Sequence, residues 1–494
     1  MTVRARPDRA SLAPWLSGQL VWHVGLVFVA LILGLLSAVM PLTQLVLIAG
    51  TIGLVTATLA EPLNGIGVAL LLGPLRAWLE IRSPGIIPHV GQLVLVMTVV
   101  AWLARGMVLR SLRVALPPRL GFLTAFLVVG LVSLWNPVDV WDGSLELFKW
   151  VQVALVAVVV YSRVEALGGH VGARLAFWLL VGSAAFQAII GLWQFGLGGS
   201  GVEEFAINDR LYRAYGTFQQ PNPYAGFLGL VGAVLVGAAA SALLQLCRGT
   251  RSWEAARRFL FYALPTVLVV AGLGASWSRG GWMGFAMALF VIGLLLPEHR
   301  VWGLAMVGAG ILLVAGLLVT GRLPSTVVDR LTGFLAYVQF DDVRGVGITD
   351  ANFSVVERMA HWQAALGMWR ARFWLGVGLG GYEAAYPVHR LINWPLPLGH
   401  AHNFYLNLLG EVGIVGLLSY VVWLGATVLG LLQAVGRHQG WRRGLALGLM
   451  GAWTHLAAHS LVDNLYVNNV HLHVGVLVAL SGWVIAERPS RRSS

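Results

Sequence analysis

This chain predicts an all-α protein that crosses a membrane many times, and three observations predict it. Of its 494 residues, 58% are hydrophobic and only 11% charged, a balance that soluble domains do not show. The apolar residues gather in runs of about 20, the length that spans a bilayer as a helix. The 61 glycines and 21 tryptophans fit the same class, because small residues let membrane helices approach and Trp collects at interfaces.

The runs give about fourteen spans by that length rule. Their limits lie near 19–39, 41–60, 62–80, 88–104, 117–136, 143–161, 174–196, 222–246, 259–275, 280–296, 301–320, 403–432, 444–462 and 470–486. Pro62, Pro74 and Arg76 interrupt the third. No small-residue cleavage site follows the basic start "MTVRARPDRASLAPW", so the first run reads as a retained anchor. A net charge of +12 would point to nucleic acid in a soluble protein. Here the arginines fall between spans, and they orient the chain instead. Arg105, Arg110, Arg113 and Arg119 share one loop, and Arg248, Arg251, Arg257 and Arg258 share another. Arg437, Arg442 and Arg443 lie in a third, with Arg488, Arg491 and Arg492 in the tail. Fourteen spans put all of these beside the basic N-terminus, on the side the positive-inside rule assigns to the cytoplasm. Cys247 is the only cysteine, which excludes an internal disulfide and a thiolate metal cage.

The opposite side receives "NPVDVWDG" (136–143), the loop 197–221, a tight turn at 276–280, a loop of about 80 residues (321–400) and "DNLYVNN" (463–469). A loop that long between spans is usually functional. Within it, Val356, Met359, Ala360, Gln363 and Leu366–Gly367 share a helical stripe. An amphipathic helix at the membrane surface is expected there, followed by a Gly-rich turn at Gly376–Gly381.

Four polar sites gather on this outer side. Arg213 stands just before a span whose entry Pro221 and Pro223 fix; it is either an interfacial anchor or a working group. Arg279 sits at the tip of "LGASWSRGGWMGF" (273–285), beside a helix N-terminus whose free amides favour anions. Glu357–Arg358 lie in the surface helix, with His361 and Trp362 following. The fourth is "GHAHNFYLNLLGE" (399–411), where Asn403, Asn407 and Glu411 recur at i, i+4 and i+8 along one stripe. His400 and His402 crown it, and Gly410, Gly413 and Gly416 offer a close-packing surface. Ionisable groups at the mouth of a span are costly, so such a stripe reads as functional. His455, His459 and Asp463 repeat the spacing. They suit an H-x3-H metal pair or, preferably, a buried hydrogen-bonded stripe. "FDDVRG" (340–345) lacks the D-x-D spacing of metal-dependent sugar-nucleotide transferases. No Walker loop, nucleophile elbow or zinc spacing occurs.

Outward arginines at a membrane boundary suit an anionic lipid headgroup, since the planar guanidinium grips phosphate in two places. If a polyprenyl diphosphate leaves from a sugar, fixed guanidiniums stabilise the charge that builds on it. A sugar hydroxyl then needs a base, and imidazole, with an unperturbed pKa of about 6.5, serves near neutral pH. Neighbouring arginines would keep His402 neutral, with Asn403 orienting it.

"HNFYLNLLGEVGIVG" carries His-Asn, nine residues, Gly, two residues, Gly through His402, Asn403, Gly413 and Gly416. It resembles the signature of the O-antigen ligase family, which also holds O-antigen polymerases and some pilin or exopolysaccharide glycosyltransferases. "RAYGTFQQPNPYAGFL", "SWSRGGW" and "ERMAHWQAALGMWRARFWLGVGLGGYEAAYP" are similar to further family segments, so the resemblance covers about 205–470. It implies a GT-C-like fold of about 12–14 transmembrane helices, with a large extracytoplasmic loop containing amphipathic helices. Residues 1–200 would be an N-terminal bundle, 201–470 the catalytic region, and 471–494 the last span with a basic cytoplasmic tail. The resemblance also implies inverting transfer from an undecaprenyl-diphosphate-linked glycan, with no cofactor, metal or nucleotide sugar. The acceptor would be a glycan, lipid A–core or a protein such as pilin. By motif, Arg213 and Arg279 would bind the diphosphate and His402 would be the base, with Arg358, Asn403, Glu411 and His400 contacting substrates. Phe373–Trp374 stand where the family often has Pro, and two spans exceed the ligases' twelve. The expected place is a bacterial cytoplasmic membrane, with both termini inside, the site outside, lipids around it and no nucleic acid partner. A ligase and a polymerase share this chemistry. A transporter would require an inverted repeat, which is not seen, and deep charges, of which Glu146 and Lys149 are the main case.

Overall fold

Backbone amides find no water in hydrocarbon, so each apolar run must close its own hydrogen bonds as a helix. The computed structural model describes residues 41–82, 89–197, 202–208, 210–249, 252–338 and 342–486. Among the described residues the regular elements are all helical, and the only β-pairing is an isolated bridge between Ala206 and Tyr212. The thirteen spans expected between 41 and 486 all fall on helices. The first nine of these helical regions are α1 (Leu42–Ala60), the pair α2 (Pro62–Leu72) and α3 (Leu75–Arg82), α4 (Val90–Val108), α5 (Leu120–Ser133), α6 (Val140–Ala166), α7 (His170–Leu192), α8 (Pro221–Arg248), α9 (Trp253–Ala275) and α10 (Arg279–Leu295). After α11 (Arg300–Val319) come three shorter or outlying helices, α12 (Ser325–Thr332), α13 (Phe353–Ala371) and α14 (Tyr382–His389). The last spans are α15 (Phe404–Arg437), α16 (Gly440–His459) and α17 (Val470–Ile485). The expected first span and the terminal arginines Arg488, Arg491 and Arg492 lie outside the described residues.

Eight described helices are long and apolar enough to cross a membrane, or nine if the bent pair α2–α3 is one span. The chain is a multi-pass membrane protein. The interrupted third run is indeed broken: Gly73 and Pro74 part its halves, which diverge by 55°, because Pro lacks an amide and clashes with the preceding turn. Three expected spans are short, at 14 residues in α5, 17 in α10 and 16 in α17.

Helix α8 is the hub, packed on α7, α9, α10 and α16. Small residues make this possible. A Cβ on Gly237 would lie 2.2 Å from the Gly448 amide, so α8 and α16 touch backbone to backbone. The deep pair Glu146 and Lys149 neutralises itself at 2.5 Å within α6.

The long loop is a folded cap rather than a loose strand of chain. Val356, Met359 and Ala360 of α13 are buried as the stripe predicts, but Gln363, Leu366 and Gly367 are only half-buried. Ala364, Ala365 and Met368 take their place and pack with Tyr382 and Tyr386. The helix has turned to dock on α15 and α14, so protein covers the face that was expected to lie on the membrane.

The Gly-rich turn inserts into a break in α15. Gly413 has φ 65° and ψ −167°, a conformation essentially confined to glycine. The break frees backbone groups on both sides. Val377 and Gly378 amides donate to the Gly410 and Glu411 carbonyls at 3.0 and 2.8 Å. The Ile414 amide donates to the Phe373 carbonyl at 3.1 Å. Gly413 of the signature and Gly376 of the Gly-rich turn are thus where two backbones cross.

Candidate functional site

The mouth of α15 is built by its own polar residues. Asn403 is the N-cap, its Oδ1 accepting from the Leu406 amide at 3.0 Å, which satisfies one of the orphan donors of the first turn. Asn407 Oδ1 accepts from the Ala401 amide at 3.0 Å and so closes the preceding loop. The Phe404 amide donates to the Ser460 carbonyl at 2.8 Å, tying the mouth to the end of α16. Glu411, expected to contact substrate, is buried and accepts from the Tyr382 amide at 3.3 Å. Two members of the stripe and the cap therefore hold backbone, and neither Asn403 nor Glu411 lines the cavity described below.

His402 is what this scaffold presents. Its φ of 50° is left-handed, a region uncommon for residues other than glycine, and its amide donates to Nδ1 of His400 at 3.0 Å. Neither ring nitrogen of His402 has a hydrogen-bond partner. The rings of His400 and His361 meet it edge-on at 4.5 and 5.5 Å. Burial, then His400, Arg358 and His361, hold its pKa down to about 2, so the imidazole is neutral and has a lone pair free. His361 is also buried, with Nδ1 2.8 Å from the Tyr382 hydroxyl and its pKa lowered by burial to about 4.

Asp463 stands across from both histidines, 3.9 Å from His400 Nε2 and 4.0 Å from His402 Nδ1. The three ligand atoms lie within 4.8 Å of one another, which is cation-site spacing. The sequence had grouped Asp463 with His455 and His459 instead. His455 turns away, its Nε2 3.0 Å from the Gly226 carbonyl, as expected of a buried hydrogen-bonded stripe. In the new group, Nδ1 of His400 accepts the His402 amide, so its ring proton sits on Nε2, the atom facing Asp463. A metal would have to break that hydrogen bond. As arranged, the carboxylate faces an N–H from His400 and suits an N–H on His402 Nδ1, which leaves His402 Nε2 as the basic atom.

Beside Asp463 opens a cavity of about 270 Å³ lined by Arg213, Arg279, Arg330 and Arg358. One turn gathers three of them. Arg213 Nε donates to the Ser276 carbonyl and Arg330 Nε to the Trp277 carbonyl, each at 3.1 Å. Arg279 follows two residues later as the first residue of α10, whose N-cap Ser278 binds Asn222 at 2.9 Å. Asn222 Oδ1 also accepts from Arg213 at 3.2 Å. The fourth arginine joins through Ser354: its hydroxyl accepts from Arg279 at 3.1 Å and its carbonyl from Arg358 at 3.0 Å. Every pin is a neutral oxygen. Among the described residues none of the four arginines forms an ion pair with a carboxylate. Burial, then Arg330, Arg279 and Arg358, press the Arg213 pKa down to about 9; the group remains a cation at neutral pH.

The structure thus brings together Arg213, Arg279 and Arg358, and sets His402 and His400 next to them across Asp463, which lines the cavity. Sequence reasoning missed Arg330, which belongs to no motif and lies in the cap far from the signature segments. It gave no role to Ser354, whose only signal was its neighbour Arg358, or to Asn222, although Asn222 lies in the quoted segment "RAYGTFQQPNPYAGFL". Residues 264–421 match the family model described as O-antigen ligase. Over that segment the chain is similar to the O-antigen ligase family. The matched segment begins inside α9 and ends within α15, so it holds Arg279, Arg330, Arg358 and His402, whereas Arg213 and Asp463 lie outside it. No curated protein matches the chain. Lipid-linked glycans are the donors this family implies, and the four guanidiniums, three of them in the matched segment, suit an anionic headgroup.

Proposed function

We propose that the protein is a glycosyltransferase of the O-antigen ligase type, which moves a glycan from undecaprenyl diphosphate to an acceptor hydroxyl. It would act at the outer face of a bacterial cytoplasmic membrane, with both termini in the cytoplasm. The observation that carries this reading is the ring of four cations held only by neutral oxygens. Removing a cation from water without a partner costs several kcal/mol, and a diphosphate repays that cost when it binds.

The step follows from the arrangement. The acceptor hydroxyl loses its proton to Nε2 of His402 as its oxygen bonds to the anomeric carbon. The bond from that carbon to the diphosphate oxygen breaks, and its electron pair leaves with the diphosphate. Attack opposite the leaving group inverts the anomeric centre. Arg213, Arg279 and Arg358 take up the charge that develops, and Asp463 stabilises the imidazolium that forms.

The test uses purified protein in lipid nanodiscs with a synthetic polyprenyl-diphosphate oligosaccharide, first alone and then with lipid A–core. Transfer to lipid A–core is expected of a ligase; a ladder of longer lipid-linked products would indicate the polymerase of the same family. His402→Ala should lose at least a thousandfold in turnover while still binding donor. Undiminished turnover in that variant would remove the base assignment.

A further inference from the structure

Arg330 is the one cation of the cavity that no motif announces. It stands on α12, in the cap, and its Nε is committed to the Trp277 carbonyl at 3.1 Å. Trp277 has φ 54°, a left-handed conformation that is rare for an aromatic residue, so the bond pins a strained turn. The carbonyl before it, Ser276, is pinned by Arg213 in the same way. Two arginines from different parts of the chain thus grip successive carbonyls of one turn, which aims the third, Arg279. Phe334, four residues after Arg330 in the cap, lies under the Arg279 guanidinium at 5.4 Å and confines it. A guanidinium fixed through Nε keeps its terminal amino groups for another acceptor, and Arg330 lines the cavity.

The charge balance indicates what that acceptor is. A phosphate monoester or diester needs one or two guanidiniums, whereas two linked phosphates present more oxygens and more charge than two forks can satisfy. From this geometry we infer that Arg330 is a donor-binding residue that gives the cavity its preference for a diphosphate over a monophosphate headgroup. The inference rests on the donor reading above and names the residue that selects within it. Arg330 also holds the Trp277 turn in place whether or not donor is bound.

Binding of farnesyl diphosphate and farnesyl monophosphate to the full chain in nanodiscs tests it, with wild type, Arg330→Gln and Arg330→Lys compared. Wild type should bind the diphosphate at least a hundredfold more tightly. Arg330→Gln should cut that ratio to about tenfold or less by weakening the diphosphate far more than the monophosphate, and Arg330→Lys should fall between. Equal losses for both ligands would mean that Arg330 only supports the turn, and undiminished binding of both would remove it from the site; either overturns the inference. Turnover of His402→Ala in the same preparation separates the two readings. If wild type transfers glycan and His402→Ala does not, a failure at Arg330 leaves the donor chemistry standing. If wild type binds neither lipid, the donor reading itself falls, and this inference with it.

Discussion

Gly413→Ala should unseat the cap from α15, and its cost can be worked from contacts. A methyl group there would lie 2.3 Å from the Trp374 carbonyl carbon and oxygen and 2.6 Å from the Leu375 amide nitrogen. These are backbone atoms, so no side chain can rotate away. Holding alanine at φ 65°, ψ −167° adds about 1–3 kcal/mol of strain. Relief requires the turn to withdraw, which loosens the bonds from Val377 and Gly378 to Gly410 and Glu411 and from Ile414 to Phe373. Each is worth roughly 0.5–1.5 kcal/mol, so losing two brings the total to about 2–6 kcal/mol. Gly425 in the same helix is the control, because nothing lies within 4 Å of its added methyl and alanine there should stabilise by roughly 0.5–1 kcal/mol. Thermal unfolding of both variants in nanodiscs, read beside glycan transfer, is the assay. Gly413→Ala should melt well below wild type and lose transfer, since Tyr382 and His361 follow the turn. If it melts and works like Gly425→Ala, the backbone crossing is not what positions the cap.

Arg279→Lys should lower kcat/KM at least tenfold, because an ammonium cannot bridge Ser354 and a phosphate as a fork does; initial rates against donor concentration check it. For pH, the buried His402 and His361 titrate below the value of about 6.5 that each has in an unfolded chain. The unfolded chain thus takes up protons that the folded one refuses, so stability is full above pH 6.5 and falls as pH drops below it. Melting scans from pH 5 to 8 should show this, and His361→Gln should flatten the slope. Bound diphosphate attracts a proton to His402, so the acidic limb of kcat should lie at higher pH than that of kcat/KM. A kcat/KM limb centred near pH 6.5 would contradict a buried neutral base.

The helices were legible because composition and run length report the bilayer directly, and even the broken third span was announced by Pro62 and Pro74. Helix bounds were less so: Leu120–Ser133 and Val470–Ile485 are short where adjacent loops, not apolarity, end them. In the site, Arg213, Arg279 and His402 stood out because each sits beside a glycine, proline or asparagine that shapes its backbone. Arg330 did not, since its partner is a main-chain carbonyl 53 positions away and no local pattern encodes that. Asp463 was visible but assigned to the wrong neighbours. Helical spacing grouped it with His455 and His459, whereas α16 ends at His459, and beyond that point the i+4 rule no longer governs direction.

The polar stripe at the mouth of α15 shows why spacing alone overstates function. Asn403, Asn407 and Glu411 lie on one face because three pieces of backbone need acceptors there: the first turn of α15, the loop at Ala401 and the turn at Tyr382. Water supplies such acceptors in a soluble protein; at a membrane boundary the chain must supply them itself. That expenditure is what lets His402 keep both ring nitrogens free of hydrogen bonds. The same logic holds at the cavity, where Ser276, Trp277, Asn222 and Ser354 fix four guanidiniums with neutral oxygens and leave their charge unspent. Polar groups with protein partners build the site, and those left unpaired are the ones positioned to meet a substrate.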